Sequence, residues 1–217
     1  MTNLPFRVRE LWINDKAVAA TEFAIVVPFM LLLYIGGIEL GNGMAINVKV
    51  TAVAHSVADM VSQNTQVSTA QMQNILGAAT AILAPYPTTD SSGNSLYTVT
   101  VSEVSTDGNG NATVQWSQSY NGSTYGAGRA TGNFTLPSSL TGAQNYNSSF
   151  ILGEVSYAYK PNLGYTISGT VTLTDNYYMF PRCSTNSPAN ASFPYYDVKL
   201  TASTTCDCIQ HLQQKTC

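Results

Sequence analysis

Charge is what this sequence has least of. Asp, Glu, Lys and Arg make up 10% of 217 residues, against about 25% in an average soluble protein. Nine Lys and Arg stand against twelve Asp and Glu, a net charge of -3. Holding nucleic acid by its phosphates needs a basic surface, so nucleic acid is excluded as the main partner. Two histidines and four cysteines leave little material for a multi-metal enzyme. There is no Gly-x-Ser-x-Gly elbow and no glycine-rich phosphate loop ending in Lys. Asp90-Ser91-Ser92 does not complete an Asp-x-Ser-x-Ser metal motif. Glu103 and Asp107 flank a turn and read as solvated carboxylates, not as an acid/base pair. No catalytic residue, metal ligand or cofactor is assigned, and an enzyme is not expected.

Long apolar runs are also scarce, with one exception. Residues 17–40 are interrupted only by Thr21, Glu22, Glu39 and small residues. The uninterrupted part, residues 23–38, is sixteen residues, short of the ~20 that a spanning helix needs. Counting from Ala17 supplies the length if Glu22 is tolerated. A cleaved secretory signal fits poorly, because the small residues Ala17, Ala19 and Ala20 precede the apolar core instead of following it. A membrane anchor fits better. Arg7, Arg9 and Lys16 lie before it, which keeps the leader in the cytoplasm and exports the bulk of the chain. Glu22 then has two readings: a headgroup residue just before the span, or a functional carboxylate inside it, costing ~2.5–3.5 kcal/mol.

The string Ala17-Val18-Ala19-Ala20-Thr21-Glu22-Phe23-Ala24-Ile25-Val26-Val27-Pro28, followed by Leu31-Leu32-Leu33 and Gly37-Ile38-Glu39-Leu40-Gly41, resembles the start of TadE/TadG-like proteins. These are pseudopilins, or minor pilins, of the tight-adherence (Flp-type) pilus systems of bacteria. Tyr157-Ala158-Tyr159-Lys160-Pro161 and Met179-Phe180-Pro181-Arg182 also resemble the family's late strands, the last with its Met-x-Pro-Arg close. The resemblance implies cutting by a prepilin peptidase between Ala17 and Val18, which makes Glu22 the fifth residue of the mature chain. Ala17 stands where pilins usually carry glycine. It further implies that Glu22, next to Phe23, sets the register between packed subunits by meeting the new amine of a neighbour's Val18. The implied partners are membrane lipid, prepilin peptidase, other pilin-like subunits and the pilus assembly machinery. The implied location is the bacterial inner membrane, single-pass, with the bulk periplasmic or carried into an extracellular pilus.

Beyond the anchor, Ile46, Val50, Val53, Val57 and Met60 keep a helical spacing, so the membrane helix is expected to continue as one rod. His55 within it is assigned no site. Asn64-Thr65-Gln66 ends the rod. Ser68 and Gln71 form a capping box for a second helix, with Val67 and Met72 placed for a hydrophobic staple. Pro85 and Pro87 stop that helix. From Leu96 the period becomes two. Tyr97, Val99 and Val101 alternate with Thr98, Thr100 and Ser102, and Val114 and Trp116 alternate with Gln115 and Ser117. Asp107-Gly108 and Asn109-Gly110 mark the hairpin between these strands. Asp107, Asn109 and Asn111 have calcium-loop spacing, but Ala112 and Gln118 replace the glycine and the bidentate glutamate that such a loop requires. Residues 119–149 show no period and read as an exposed insertion. Strands resume around Val155 and again around Leu173.

Residues 183–217 form a tail holding all four cysteines, Cys183, Cys206, Cys208 and Cys217. An exported domain permits disulfides. Cys206 and Cys208 are poorly spaced to pair with each other, so Cys183 is expected to join one of them and Cys217 the other. Cys206-x-Cys208-x2-His211-x5-Cys217 fits no standard zinc spacing. The resulting expectation is an α+β, pilin-like fold. It comprises a leader 1–17, a transmembrane segment 18–40 and an exported domain 41–217, in which the long helix packs on a small antiparallel sheet beside a second helix. The expected function is a pseudopilin or minor pilin in Flp-type pilus assembly. The alternative is a membrane-tethered periplasmic or surface binding module that is not processed as a pilin.

Overall fold

The computed structural model describes residues 15–161, 169–182, 198–201, 207–210 and 213–216. Helix α1 (Asp15–Ser62) runs through Pro28 without ending. Two compact units divide the chain, the boundary on α1 falling after Met44.

In the second unit α1 shows why a helix forms and docks there. Ile46, Val50, Val53, Ala54, Val57, Ala58 and Val61 recur at helical spacing, and all are fully buried. Strand β1 (Gln66–Ser68) comes next, then helix α2 (Thr69–Leu83). The capping box of α2 is formed: the Gln71 amide N–H donates to Ser68 Oγ at 3.2 Å, and the Ser68 N–H donates to Gln71 Oε1 at 2.9 Å. Val67 and Met72, the staple pair, are buried. The helix buries Met72, Leu76, Ala79 and Leu83, and it ends before Pro85.

The sheet is built from β2 (Tyr97–Thr106), β3 (Ala112–Tyr120), β6 (Ser149–Tyr159) and β7 (Val171–Met179). Two short strands, β4 (Tyr125–Ala127) and β5 (Gly132–Phe134), complete it. The order is β4-β3-β2-β6-β7, with every pair antiparallel, and β5 also pairs with β3. One face carries Tyr97, Val99, Val101, Trp116, Ile151, Val155 and Tyr157 into the core shared with α1 and α2. Gly153 permits the contact. A Cβ there would lie 2.5 Å from the Ala54 carbonyl oxygen and 3.2 Å from Ala58 Cβ.

Three expectations change. The return strand does not alternate through Trp116. The ladder shifts between Glu103 and Val104, pairing Glu103 with Trp116 but Val104 with Val114. A β-bulge of this kind reverses the facing of the residues beyond it. Trp116 therefore joins the helix-side core, while Val114 joins a second cluster on the opposite face with Val104, Phe150 and Leu152. Next, residues 119–149 are not a bare insertion. β4 and β5 share the outer edge of β3, and Leu136 and Asn145 are buried as the segment covers the second cluster. Lastly, the tail returns to the core. Strand β8 (Lys199–Thr201) pairs in parallel with β1, Val198 is fully buried, and the Trp116 indole N–H donates to the Val198 carbonyl at 2.8 Å. A two-stranded hairpin, β9 (Asp207–Gln210) with β10 (Gln213–Thr216), lies beyond it in the chain.

Replacing Gly153 by Ala should destabilise the fold by about 1–3 kcal/mol, the usual range for overpacking, because the opposing atom is backbone and cannot rotate away. Denaturant unfolding measures it, and an unchanged midpoint would refute the close approach. Burial, with smaller contributions from neighbouring Tyr159 and Tyr86, pushes the Tyr157 phenol up to about 12. Its O–H donates to the Pro87 carbonyl at 2.6 Å. A phenol whose folded pKa lies above the ordinary ~10 stabilises the fold fully below pH 10. That contribution fades as pH rises from about 10 to about 12. Alkaline melts of Tyr157→Phe should lack this component of the pH slope.

Candidate functional site

The first half of α1 exposes what a water-soluble helix would bury. Phe23 is 69% exposed, Phe29 67% and Leu33 77%, with Ile25, Met30 and Leu32 similarly open. Apolar side chains of this number, open over one contiguous stretch, mark a surface meant for lipid or for other helices. Among the described residues, α1 is the one helix long and apolar enough to cross a membrane. Pro28 brings no N–H to the helix ladder, so the turn before it lacks one bond. Nothing lies within 4 Å of a Cβ placed on Gly37 or Gly41, which share one face of the helix and leave it free for close approach.

Two carboxylates bracket the apolar run. Glu22 is exposed. It lies four residues after Val18, a rise of about 6 Å on the same face. The Thr21 hydroxyl donates to the Val18 carbonyl at 2.8 Å. Ala17 and Val18, the expected cleavage pair, are both helical. Glu39 is different: it is 2% exposed while Ile38 and Leu40 beside it are 41% and 59% exposed.

In the second unit, the late-strand motif receives a physical role. Along α1, Thr51, Asp59 and Ser62 face β7 and the turn after it. The Thr51 hydroxyl donates to Asp175 Oδ2, and the Arg182 guanidinium pairs with Asp59 Oδ1. The Arg182 N–H donates to the Ser62 carbonyl at 2.7 Å, and the Ser62 hydroxyl meets Met179 Sδ at 3.1 Å. Met179-Phe180-Pro181-Arg182 thus clasps the C-terminal turn of α1, where carbonyls lack helical donors and a cation is favoured. His55, assigned no site, is exposed and stacks on Tyr177 with ring centroids 3.6 Å apart.

The remaining polar candidates separate. Glu103 is not solvated: it is fully buried and accepts a hydrogen bond from the Ser149 hydroxyl. Asp107 is partly exposed, and its carboxylate is taken up by the hairpin. Oδ1 accepts the N–H groups of Asn109 and Asn111, and Oδ2 the side-chain amide of Asn111, each at 2.8 Å. The Asn111 side chain, then its backbone, holds the Asp107 carboxyl below the usual carboxylate range. Donors aimed at the carboxylate fit a turn, not a calcium ligand. Among the described residues, no group of three or more His, Cys, Asp and Glu could hold a metal. Cys183, Cys206 and Cys217 lie outside the described residues, and Cys208 is placed by its backbone in β9.

The described residues form an α+β fold whose one long apolar helix, bare over its first half and docked on an antiparallel sheet over its second, has the length and composition of a membrane anchor. Residues 17–59 match the family model described as TadE-like protein. The chain is therefore TadE-like over that segment, which ties it to the tight-adherence pilus system and to the membrane. No curated protein and no solved structure matches the chain.

Proposed function

We propose that the protein is a pseudopilin, or minor pilin, that works by assembly and not by catalysis. Prepilin peptidase cuts between Ala17 and Val18 in the bacterial inner membrane, and the sheet domain lies on the periplasmic side. The mature helix then packs with other pilin-like subunits of the tight-adherence machinery. The observation that carries this reading is the family match, which begins at Ala17 and runs to Asp59. It covers the bare apolar half of α1 and continues into the half that docks on the sheet. Membrane anchoring alone would need only the first.

Glu22 is the assembly residue in this reading. Its carboxylate meets the terminal amine of Val18 on a neighbouring subunit, and each neutralises the other in apolar surroundings. Removing one partner strands the other charge, at ~3–5 kcal/mol. Glu22→Ala should leave membrane insertion and folding intact and abolish or sharply reduce pilus formation. The intact mass of wild-type chain extracted from membranes should lack residues 1–17. Wild-type piliation in the variant would refute the pairing. An uncut chain would refute the processing and leave a tethered binding module.

A further inference from the structure

The face of the sheet turned away from α1 and α2 is divided. One end is apolar and covered by the segment that includes Leu136. The other end is left open as a groove of about 660 Å³, within the usual size of ligand sites. Its floor is polar across four strands. Thr98 and Thr100 come from β2, Ser119 from β3, Ser156 from β6, and Thr174 and Asn176 from β7. The register places Thr100 opposite both Ser119 and Glu154, and Thr98 opposite Ser156, so the hydroxyls stand in adjacent rows. Val155 lines the groove too, but it is buried in the helix-side core.

A solvated sheet face would be equally polar, but it would be flat. This one has a wall. Gly128 bends over the sheet, where a Cβ would lie 2.5 Å from Ser117 Oγ and 2.6 Å from Thr100 Cγ2. The Gly128 N–H donates to the Ser117 carbonyl at 3.2 Å, and the Arg129 N–H to Ser117 Oγ at 2.8 Å. The Arg129 guanidinium sits 5.2 Å from the Phe134 ring centre and pairs with Glu154 Oε1 at 2.5 Å. The guanidinium is therefore held by two contacts and the backbone of Arg129 by a third before any ligand arrives, which reduces the ordering cost of binding.

We infer that this groove is a saccharide-binding site, taking an uncharged polyhydroxylated chain laid across the strands. The lining decides the class. Arg129 and Glu154 balance in charge, and Asp175, also on the lining, adds a carboxylate that accepts from the Thr51 hydroxyl, so a phosphate or nucleic acid gains no net attraction. No apolar side chain opens into the groove, which excludes an acyl chain or an apolar peptide anchor. Vicinal hydroxyls are both donors and acceptors. They match a floor of threonine and serine hydroxyls with one fixed guanidinium donor and one carboxylate acceptor, whose charge-assisted bonds are the strong ones. Such a chain could come from the cell's own wall or from a polysaccharide at a surface.

The test is isothermal titration of the full chain in lipid nanodiscs with two uncharged probes, a β-1,4-linked N-acetylglucosamine tetrasaccharide for the wall glycan and maltoheptaose for a surface polysaccharide. Saturable binding is expected for at least one, and the probe that binds identifies the source. Both Arg129→Ala and Glu154→Gln should weaken it about tenfold or more. Both sites are partly exposed, so circular dichroism should show an unchanged fold. No binding of either probe at millimolar concentration, or binding that neither variant weakens, overturns the inference.

Discussion

Everything in the second unit depends on one contact, the seating of the small-residue stripe of α1 on the sheet at Gly153. Ala54 and Ala58 meet a strand position with no side chain, and Val50, Val53, Val57 and Val61 flank them, fully buried. Burying one such valine is worth roughly 1.5–3 kcal/mol. The first half of α1 is rich in larger apolar residues, and among the described residues most of them stay open, with Leu33 77% exposed. A single helix thus has one half packed on the sheet and one half that presents apolar side chains outward. That asymmetry is what the proposed anchored subunit requires.

The C-terminal turn of α1 is the point where this contact could fray. The last carbonyls of a helix lack partners, and no basic residue stands in the last turn of α1. Arg182 supplies both missing groups from the far end of β7: a backbone N–H to Ser62 and a guanidinium beside Asp59. Its ion pair is half exposed, so it contributes less than about 1 kcal/mol. The buried bond to the carbonyl and the Ser62–Met179 contact matter more. Chain order alone would leave the helix end and the strand end unrelated, and the motif joins them.

The features legible in the sequence are those that local chemistry determines. Ser68 and Gln71 cap α2 with atoms three residues apart, and Asp107 closes its hairpin with atoms two and four residues away. The stripe on α1 comes from spacing alone, and the anchor features around Glu22 from their order. The bulge opposite Glu103 leaves no local signal, so simple alternation puts Val114 and Trp116 on one face when they lie on two. Glu103 reads as solvated because its cover, including Ser149, comes from a strand 46 residues away. β4, β5 and β8 are three residues each, too short for a period of two to show. The groove is invisible for a related reason: Thr98, Ser119, Glu154 and Thr174 become neighbours only through the strand order.

The position of Glu22 constrains how the proposed assembly works. After cleavage, the new amine on Val18 would stand at a helix N-terminus, where the macrodipole already disfavours a cation. Its own Glu22 is one turn away on the same face, so a pair within one subunit is always within reach. In water that pair would be worth little, because solvent screens both charges. In the bilayer each charge needs a partner, and a subunit alone has only the frayed first turn of its own helix to offer. Packed subunits offset by a few residues would bring a second carboxylate to the amine without bending either helix. The bare faces at Gly37 and Gly41 allow the close approach that such an offset requires. In the proposed assembly the electrostatic term would select the register, while the apolar surface of residues 23–38 would supply the area.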